Sequence, residues 1–141
     1  MSAKTLLFVF AGLSLLIVAG LLINPKDQAS APNEIDVPAK EQSAIVRDVE
    51  SKLEQKKATL IDVRTQQEFS EEHARGAIHH DVELIKAGSF PQVDKESEIY
   101  VYCRSGNRSA QAKSLLETAG FSNVNDLGAL SDWVSQGGSV E

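Results

Sequence analysis

The single cysteine of the chain stands where an apolar strand pattern gives way to a helical pattern. Cys103 ends the run 99–103, whose β-branched and aromatic residues predict a buried strand. The residues that follow are small or basic: Arg104, Ser105, Gly106, Asn107, Arg108 and Ser109. A helical pattern begins at Ala110. Ligands of open α/β sheets bind beyond the carboxyl ends of the strands, so this junction is the first candidate for a functional site.

The residue types at this junction favour nucleophilic chemistry. A short loop before a helix directs backbone N–H groups inward, and Gly106 permits the backbone conformation that such a loop needs. A thiol over these N–H groups, with Arg104 and Arg108 nearby, is stabilised as the nucleophilic thiolate. The alternative is a structural cysteine buried at a strand end. The polar, basic segment after Cys103 has no use in a dry core, and we therefore favour catalysis.

Charge and cysteine count limit the classes of function. The 141-residue chain has a formal net charge of −6, which argues against a nucleic-acid partner. One cysteine excludes an internal disulfide, a cysteine-based zinc cluster and a redox cycle resolved within the chain. Arg104, Arg108 and Lys113 follow Cys103 with no acid among them, which predicts a basic pocket for a small anionic substrate.

The loop and several upstream residues carry a family resemblance. Residues 103–109 resemble the active-site loop of rhodanese-type sulfurtransferases, Cys-x-x-Gly-x-Arg-Ser/Thr, and the resemblance spans about 59–134. It is closest to small single-domain rhodaneses that bacteria export to the periplasm. The upstream residues that strengthen it are Leu60-Ile61-Asp62-Val63-Arg64, Glu68-Phe69, His73 and Gly76-Ala77-Ile78. The closing segment 127–133 fits the family except that Ala129 replaces a glycine.

The resemblance implies a fold and a reaction. The fold is an α/β domain with a mostly parallel sheet of four or five strands and helices on both faces. The reaction is transfer of sulfane sulfur from thiosulfate, or a related donor, to cyanide or a thiol through a persulfide on Cys103. Loop residues 104–109 bind the donor, and no cofactor or metal is required. Asp62 and Arg64 are supporting residues beneath the loop, with Glu68 as the expected partner of Arg64.

Two other classes of function share this fold. Dual-specificity phosphatases of one family carry Cys-x5-Arg, whereas Arg108 gives this chain Cys-x4-Arg and a smaller ring of amides. Non-enzymatic rhodanese-like modules usually lack the cysteine, which is present here. A slow module that delivers sulfur to a partner protein stays open as the alternative to a thiosulfate sulfurtransferase.

The remaining patterns predict the elements around the site. Three histidines, His73, His79 and His80, have a spacing that fits neither a helical metal-binding pair nor a zinc finger, and the resemblance implies that His73 fills a packing position of the family. Trp133 is likewise expected in the core. We predict helices over 41–57, 66–72, 81–87 and 108–119, a strand over 59–63, a loop over 89–97 and a short last strand after 121–124.

The N-terminal third predicts a membrane tether. Residues 6–23 carry no charge and would span roughly 27 Å as a helix, close to the thickness of a hydrocarbon core. This length favours a retained anchor over a cleaved signal, although Ala29-Ser30-Ala31 could be a cleavage site. We therefore expect an anchor or signal at 1–24, a linker at 25–40 and the domain at 41–141. Lys4 predicts a cytoplasmic N-terminus and a domain in the bacterial periplasm, on the inner membrane or soluble after cleavage.

Overall fold

Helices and strands alternate along residues 42–141, the part of the chain that the computed structural model describes. In chain order they are α1 (Ala44–Glu54), β1 (Ala58–Asp62), α2 (Gln66–Glu71), β2 (Ile78–His79), α3 (Val82–Lys86), β3 (Glu98–Cys103), α4 (Asn107–Thr118), β4 (Val124–Ala129) and α5 (Leu130–Ser135). This alternation is the signature of an α/β fold built on a parallel sheet.

The sheet has four parallel strands in the order β2-β1-β3-β4. The two central strands, β1 and β3, are in register, with Asp62 beside Tyr102. Because parallel strands end at the same edge of a sheet, Asp62 and Cys103 come to one edge although 40 positions separate Asp62 from Tyr102 in the chain. The predicted fold class, a parallel sheet of four or five strands flanked by helices, is confirmed.

Alternation along β3 divides the core between the two faces of the sheet. Ile99, Val101 and Cys103 are buried with residues of α3 and α4 on one face. Tyr100 and Tyr102 are buried on the other face with residues of α1 and α5. Successive side chains of a strand point to opposite faces, so the thiol and its neighbouring tyrosine lie on different sides of the sheet.

Most predicted elements are present within a few residues of their predicted bounds. The helix predicted over 41–57 is the shorter α1, because Ser43 accepts a hydrogen bond from the Val46 N–H and so begins it. Trp133 is buried, as predicted. The sequence did not predict β2, whose two residues show no periodicity, or α5, whose N-cap residue Ala129 has no side chain that could mark a helix start.

The predictions for the N-terminal third lie outside the described residues. This applies to the anchor or signal at 1–24, to its apolar run 6–23 and to the linker at 25–40. Within residues 42–141, every helix is too short or too polar to cross a bilayer.

Candidate active site

The sulfur of Cys103 lies under the loop that joins β3 to α4. Gly106 begins α4 with a φ of 86°, in the left-handed region that favours glycine. Its N–H donates to Cys103 Sγ over 3.1 Å, and the thiol lies 3.5 Å from Ser109 Oγ. N–H groups in the first turn of a helix have no partner within the helix, so they are available to a sulfur anion.

The surroundings of the sulfur lower its pKa. Burial alone would raise the pKa of Cys103, because a charged thiolate loses hydration. Hydrogen bonding with the Ser109 side chain and donation by the backbone N–H groups of Ser105, Ser109 and Gly106 together outweigh the effect of burial. The pKa therefore lies below the ordinary thiol value, and these groups favour the nucleophilic thiolate.

Cys103 has no solvent-accessible surface. The Ser109 hydroxyl donates to the Gly106 carbonyl over 3.0 Å and lies 3.4 Å from the Gly128 carbonyl near the end of β4, which ties the first turn of α4 to that strand. A Cβ at Gly106 would lie 3.7 Å from the Gly128 Cα. The start of α4 therefore lies close against β4, beside the buried sulfur.

Arg108 is paired with Glu68, which the sequence analysis had assigned to Arg64. Arg108 donates through both terminal nitrogens to the two carboxylate oxygens of Glu68, over 2.7 and 2.8 Å. The contact with Arg108 is the largest cause that lowers the pKa of Glu68 to about 2, and the capping contacts with Thr65 add to it. The predicted Arg64–Glu68 pair is wrong because Glu68, at the start of α2, faces the first turn of α4.

Arg64 binds Asp62 instead, in a buried pair at the end of β1. Its guanidinium donates to both carboxylate oxygens of Asp62, at 2.6 Å for the shortest contact, and to the Glu72 carbonyl. The Tyr102 hydroxyl donates to the same carboxylate over 2.7 Å and accepts from the Ala74 N–H. Asp62 and Arg64 therefore hold β1, β3 and the loop before β2 together.

The predicted basic pocket is only partly present. Arg108 is bound by Glu68, and Lys113 by Glu117 and the Val124 carbonyl. Arg104 is exposed and forms no ion pair within residues 42–141. Glu117 lies four positions after Lys113 on α4, whereas Glu68 comes from α2 and could not be recognised from the residues that follow Cys103.

Other side chains of the loop differ in orientation. The Asn107 side chain accepts a hydrogen bond from Gln111 along α4, so Asn107 contributes only backbone atoms to the loop.

A cleft of about 550 Å³ adjoins Arg104. It is lined by Arg64, Glu72, Arg104, Leu130, Ser131, Val134 and Ser135.

Each histidine contacts a nearby carbonyl. His73 stacks on Phe69 and bonds its carbonyl, in agreement with the predicted packing role. The rings of His79 and His80 bond the carbonyls of Arg64 and Ser89. Within residues 42–141, no three potential ligands are grouped to hold a metal ion.

Three residues near the site escaped the sequence analysis. Glu68 first, and then the charges of Cys103 and Asp81, raise the pKa of Arg108. The position of Asp81 before α3, where it caps the helix, was a recognisable signal. Tyr102 meets Asp62 through the register of β1 and β3, and nothing in the sequence marks either this pairing or Gly128 as a neighbour of the loop.

Comparisons with known proteins converge on one family. Residues 46–136 match the profile described as the rhodanese-like domain. The chain is 37% identical over 73 residues to the thiosulfate sulfurtransferase PspE of Escherichia coli, covering 51% of this chain and 70% of that protein. It is 34% identical over 92 residues to the thiosulfate:glutathione sulfurtransferase of Saccharomyces cerevisiae, covering 56% and 66%. The crystal structure of Alr3790 from Anabaena superposes with a TM-score of 0.60 at 31% identity, covering 68% and 77%.

Proposed function

Because the chain belongs to the rhodanese-like domain family, we propose that it transfers sulfane sulfur from thiosulfate, or a related donor, through a persulfide on Cys103. The observation that carries the proposal is the set of donors around Cys103 Sγ. One N–H lies 3.1 Å from the sulfur, and further hydrogen bonds from the loop and Ser109 lower its pKa. A cluster of N–H groups that stabilises a thiolate also stabilises the persulfide anion that replaces it.

The reaction divides into two balanced steps. In the first, the Cys103 thiolate attacks the outer sulfur of thiosulfate; a new S–S bond forms, the bond to the sulfonate sulfur breaks, and sulfite leaves with that electron pair. In the second, a nucleophilic acceptor attacks the outer sulfur of the persulfide and regenerates the thiolate. Cyanide leaves as thiocyanate, and a thiolate leaves as a new persulfide. No proton needs to be moved by the protein.

The names of two relatives support the choice of donor and acceptor. The relative from Escherichia coli is a thiosulfate sulfurtransferase, and that from yeast is a thiosulfate:glutathione sulfurtransferase. We propose thiosulfate as a donor and a thiol as the cellular acceptor, with cyanide as an assay acceptor. A thiol on a partner protein is the second acceptor that fits this chemistry.

The Glu68–Arg108 pair disfavours the phosphatase alternative. A phosphatase of this fold needs its loop arginine to bind the phosphoryl group, whereas both terminal nitrogens of Arg108 are bound by Glu68. The shorter Cys-x4-Arg spacing points the same way.

We also propose that residues 6–23 anchor the domain to the bacterial inner membrane on its periplasmic side. The support is the uncharged length of the run and Lys4 before it. Carbonate extraction and protease treatment of spheroplasts test this: the domain should stay in the membrane fraction and be digested from outside. A soluble periplasmic product would indicate a cleaved signal, and a protease-resistant cytosolic pool would contradict export.

Intact-mass spectrometry after thiosulfate treatment tests the sulfur-transfer proposal. We expect one added sulfur atom, removed by cyanide with release of thiocyanate. The variant Cys103→Ser should fold, gain no sulfur and lose thiosulfate:cyanide turnover, because a neutral hydroxyl cannot hold a sulfane sulfur. Turnover by the serine variant, or no added sulfur on the wild type, would contradict the proposal.

A further inference from the structure

The contact between Glu68 and Arg108 is an ion pair at the edge of the candidate active site. Both terminal nitrogens of Arg108 contact Glu68, and the two side chains are 28% and 22% exposed. Arg108 is the second residue of α4, one position after the N-terminus that faces Cys103. Cys103 is, after Glu68, one of the negative charges that raise the pKa of Arg108, so the charge on this arginine acts on anions that approach the sulfur.

Glu68 is held in place from a second side. Thr65 donates to Glu68 Oε2 through its N–H and its hydroxyl, both over 3.0 Å, in the capping box that begins α2. The carboxylate is thus fixed at the helix start before Arg108 contacts it. Its pKa of about 2 keeps it ionised over the whole range in which a thiolate enzyme works.

The pair changes the number of cations that a donor meets at the loop. Arg104 is exposed and forms no ion pair within residues 42–141. Arg108 faces Glu68, and Asp81 acts on it as a second negative charge. Of the two loop arginines, one therefore presents an uncompensated charge.

We propose that Glu68 is a specificity-determining residue that, by binding Arg108, cancels one cationic charge beside Cys103 and favours sulfur donors with one negative charge over donors with two. The inference rests on the proposed sulfur transfer and names the donor class within it. A fixed carboxylate repels an approaching dianion about twice as strongly as a monoanion in the same position. The preference for donors with one negative charge therefore depends on the charge of the donor and not on the chemistry at its sulfur.

Thiosulfate and methanethiosulfonate are matched probes for this bias. In the second donor a methyl group replaces one charged oxygen, so the two differ by one unit of charge and carry the same transferable sulfur. Attack by the Cys103 thiolate forms the same persulfide from both, with sulfite leaving in one case and methanesulfinate in the other. The ratio of their kcat/KM values isolates the effect of charge, because changes in thiolate reactivity cancel in it.

The test compares this ratio, thiosulfate over methanethiosulfonate, among variants of the full chain. Glu68→Gln keeps the capping contacts and removes one negative charge, and it should raise the ratio about three-fold at low salt. Arg108→Gln leaves the carboxylate unpaired and should lower the ratio about three-fold. Both changes should largely disappear at about 1 M salt, where the screening length is about 3 Å.

Controls separate this role from a structural one. Glu71→Gln removes the same charge from the same helix, where Glu71 contacts Gln67, and should leave the ratio unchanged. Glu68→Asp keeps the negative charge at this position and should retain the wild-type ratio of the two kcat/KM values. Ratios in Glu68→Gln and Arg108→Gln that equal the wild-type value would overturn the inference. If the wild type takes sulfur from neither donor, the proposed function itself fails, which is a different result.

Discussion

Two arginine–carboxylate pairs meet at the same edge of the sheet, and they differ in burial and in the distance they span along the chain. Asp62 and Arg64 are two positions apart, with side chains 0% and 7% exposed. Glu68 and Arg108 are 40 positions apart, with side chains 22% and 28% exposed. The first pair joins β1 to β3 and to the loop before β2. The second joins α2 to the first turn of α4.

The difference separates support of the fold from control of the site. The buried pair is completed by the Tyr102 hydroxyl and by the Glu72 carbonyl, so its groups have protein partners in place of water. Hydrogen bonding to Asp62 and its charge keep the pKa of Arg64 raised although burial alone would lower it. The Glu68–Arg108 pair is partly exposed to solvent and lies near Cys103. A change in its charge should therefore affect the reaction with anionic donors more than the stability of the fold.

Removal of the buried charge should give the largest effect. Asp62→Asn leaves Arg64 buried without a counter-ion, and we expect a loss of about 3–5 kcal/mol in the free energy of unfolding. Urea denaturation followed by circular dichroism measures it. A loss below about 1 kcal/mol would show that this pair is no more important to folding than an exposed one.

Loss of the tyrosine hydroxyl should have a smaller effect on the same network. Tyr102→Phe removes a donor to Asp62 and leaves the Ala74 N–H without its acceptor, so we expect a loss of about 1–3 kcal/mol. Denaturation of Tyr100→Phe, on the same strand, is the comparison, because the Tyr100 hydroxyl donates to Glu98 and accepts from Lys52 outside the Asp62 network. Equal losses at both positions would argue against a special role for the Asp62 network.

Acid should weaken the Glu68–Arg108 ion pair within a defined pH range. The pKa of Glu68 falls from 4.5 to about 2 on folding, so its contribution to stability is complete above pH 4.5 and is lost as the pH falls towards 2. For a pair this exposed we expect a contribution of about 1 kcal/mol. The stability difference between wild type and Glu68→Gln should shrink over that range; a difference independent of pH would contradict the assignment.

The smallest effect should come from Arg104, which is exposed and forms no ion pair within residues 42–141. Arg104→Ala should raise KM for thiosulfate about three-fold at low salt with kcat unchanged, because its exposed charge attracts the donor without touching the reacting bond. The stability of the protein should not change. Arg47→Ala, which removes an exposed charge on α1, is the control, and an equal rise in KM there would indicate a general effect of net charge.

The sequence by itself determined the candidate nucleophile and the order of the elements around it. Apolar β-branched residues before Cys103 and small, basic residues after it are local signals, and they predicted the strand, the loop and α4 correctly. The capping residues Ser43, Thr65 and Asp81 accept hydrogen bonds from N–H groups two or three positions away. The starts of these helices can therefore also be predicted from neighbouring residues in the sequence. Elements as short as β2 lack such signals.

Only the tertiary structure decided which charges meet. Glu68 is four positions from Arg64 and 40 from Arg108, yet it binds the more distant arginine. The parallel sheet brings the ends of β1 and β3 to one edge, and the helices after them turn side chains towards or away from each other there. Coulombic interaction depends on distance in space and on exposure to water, neither of which is encoded by spacing along the chain. For this reason the sequence identified Cys103 but not the state of charge of the loop around it.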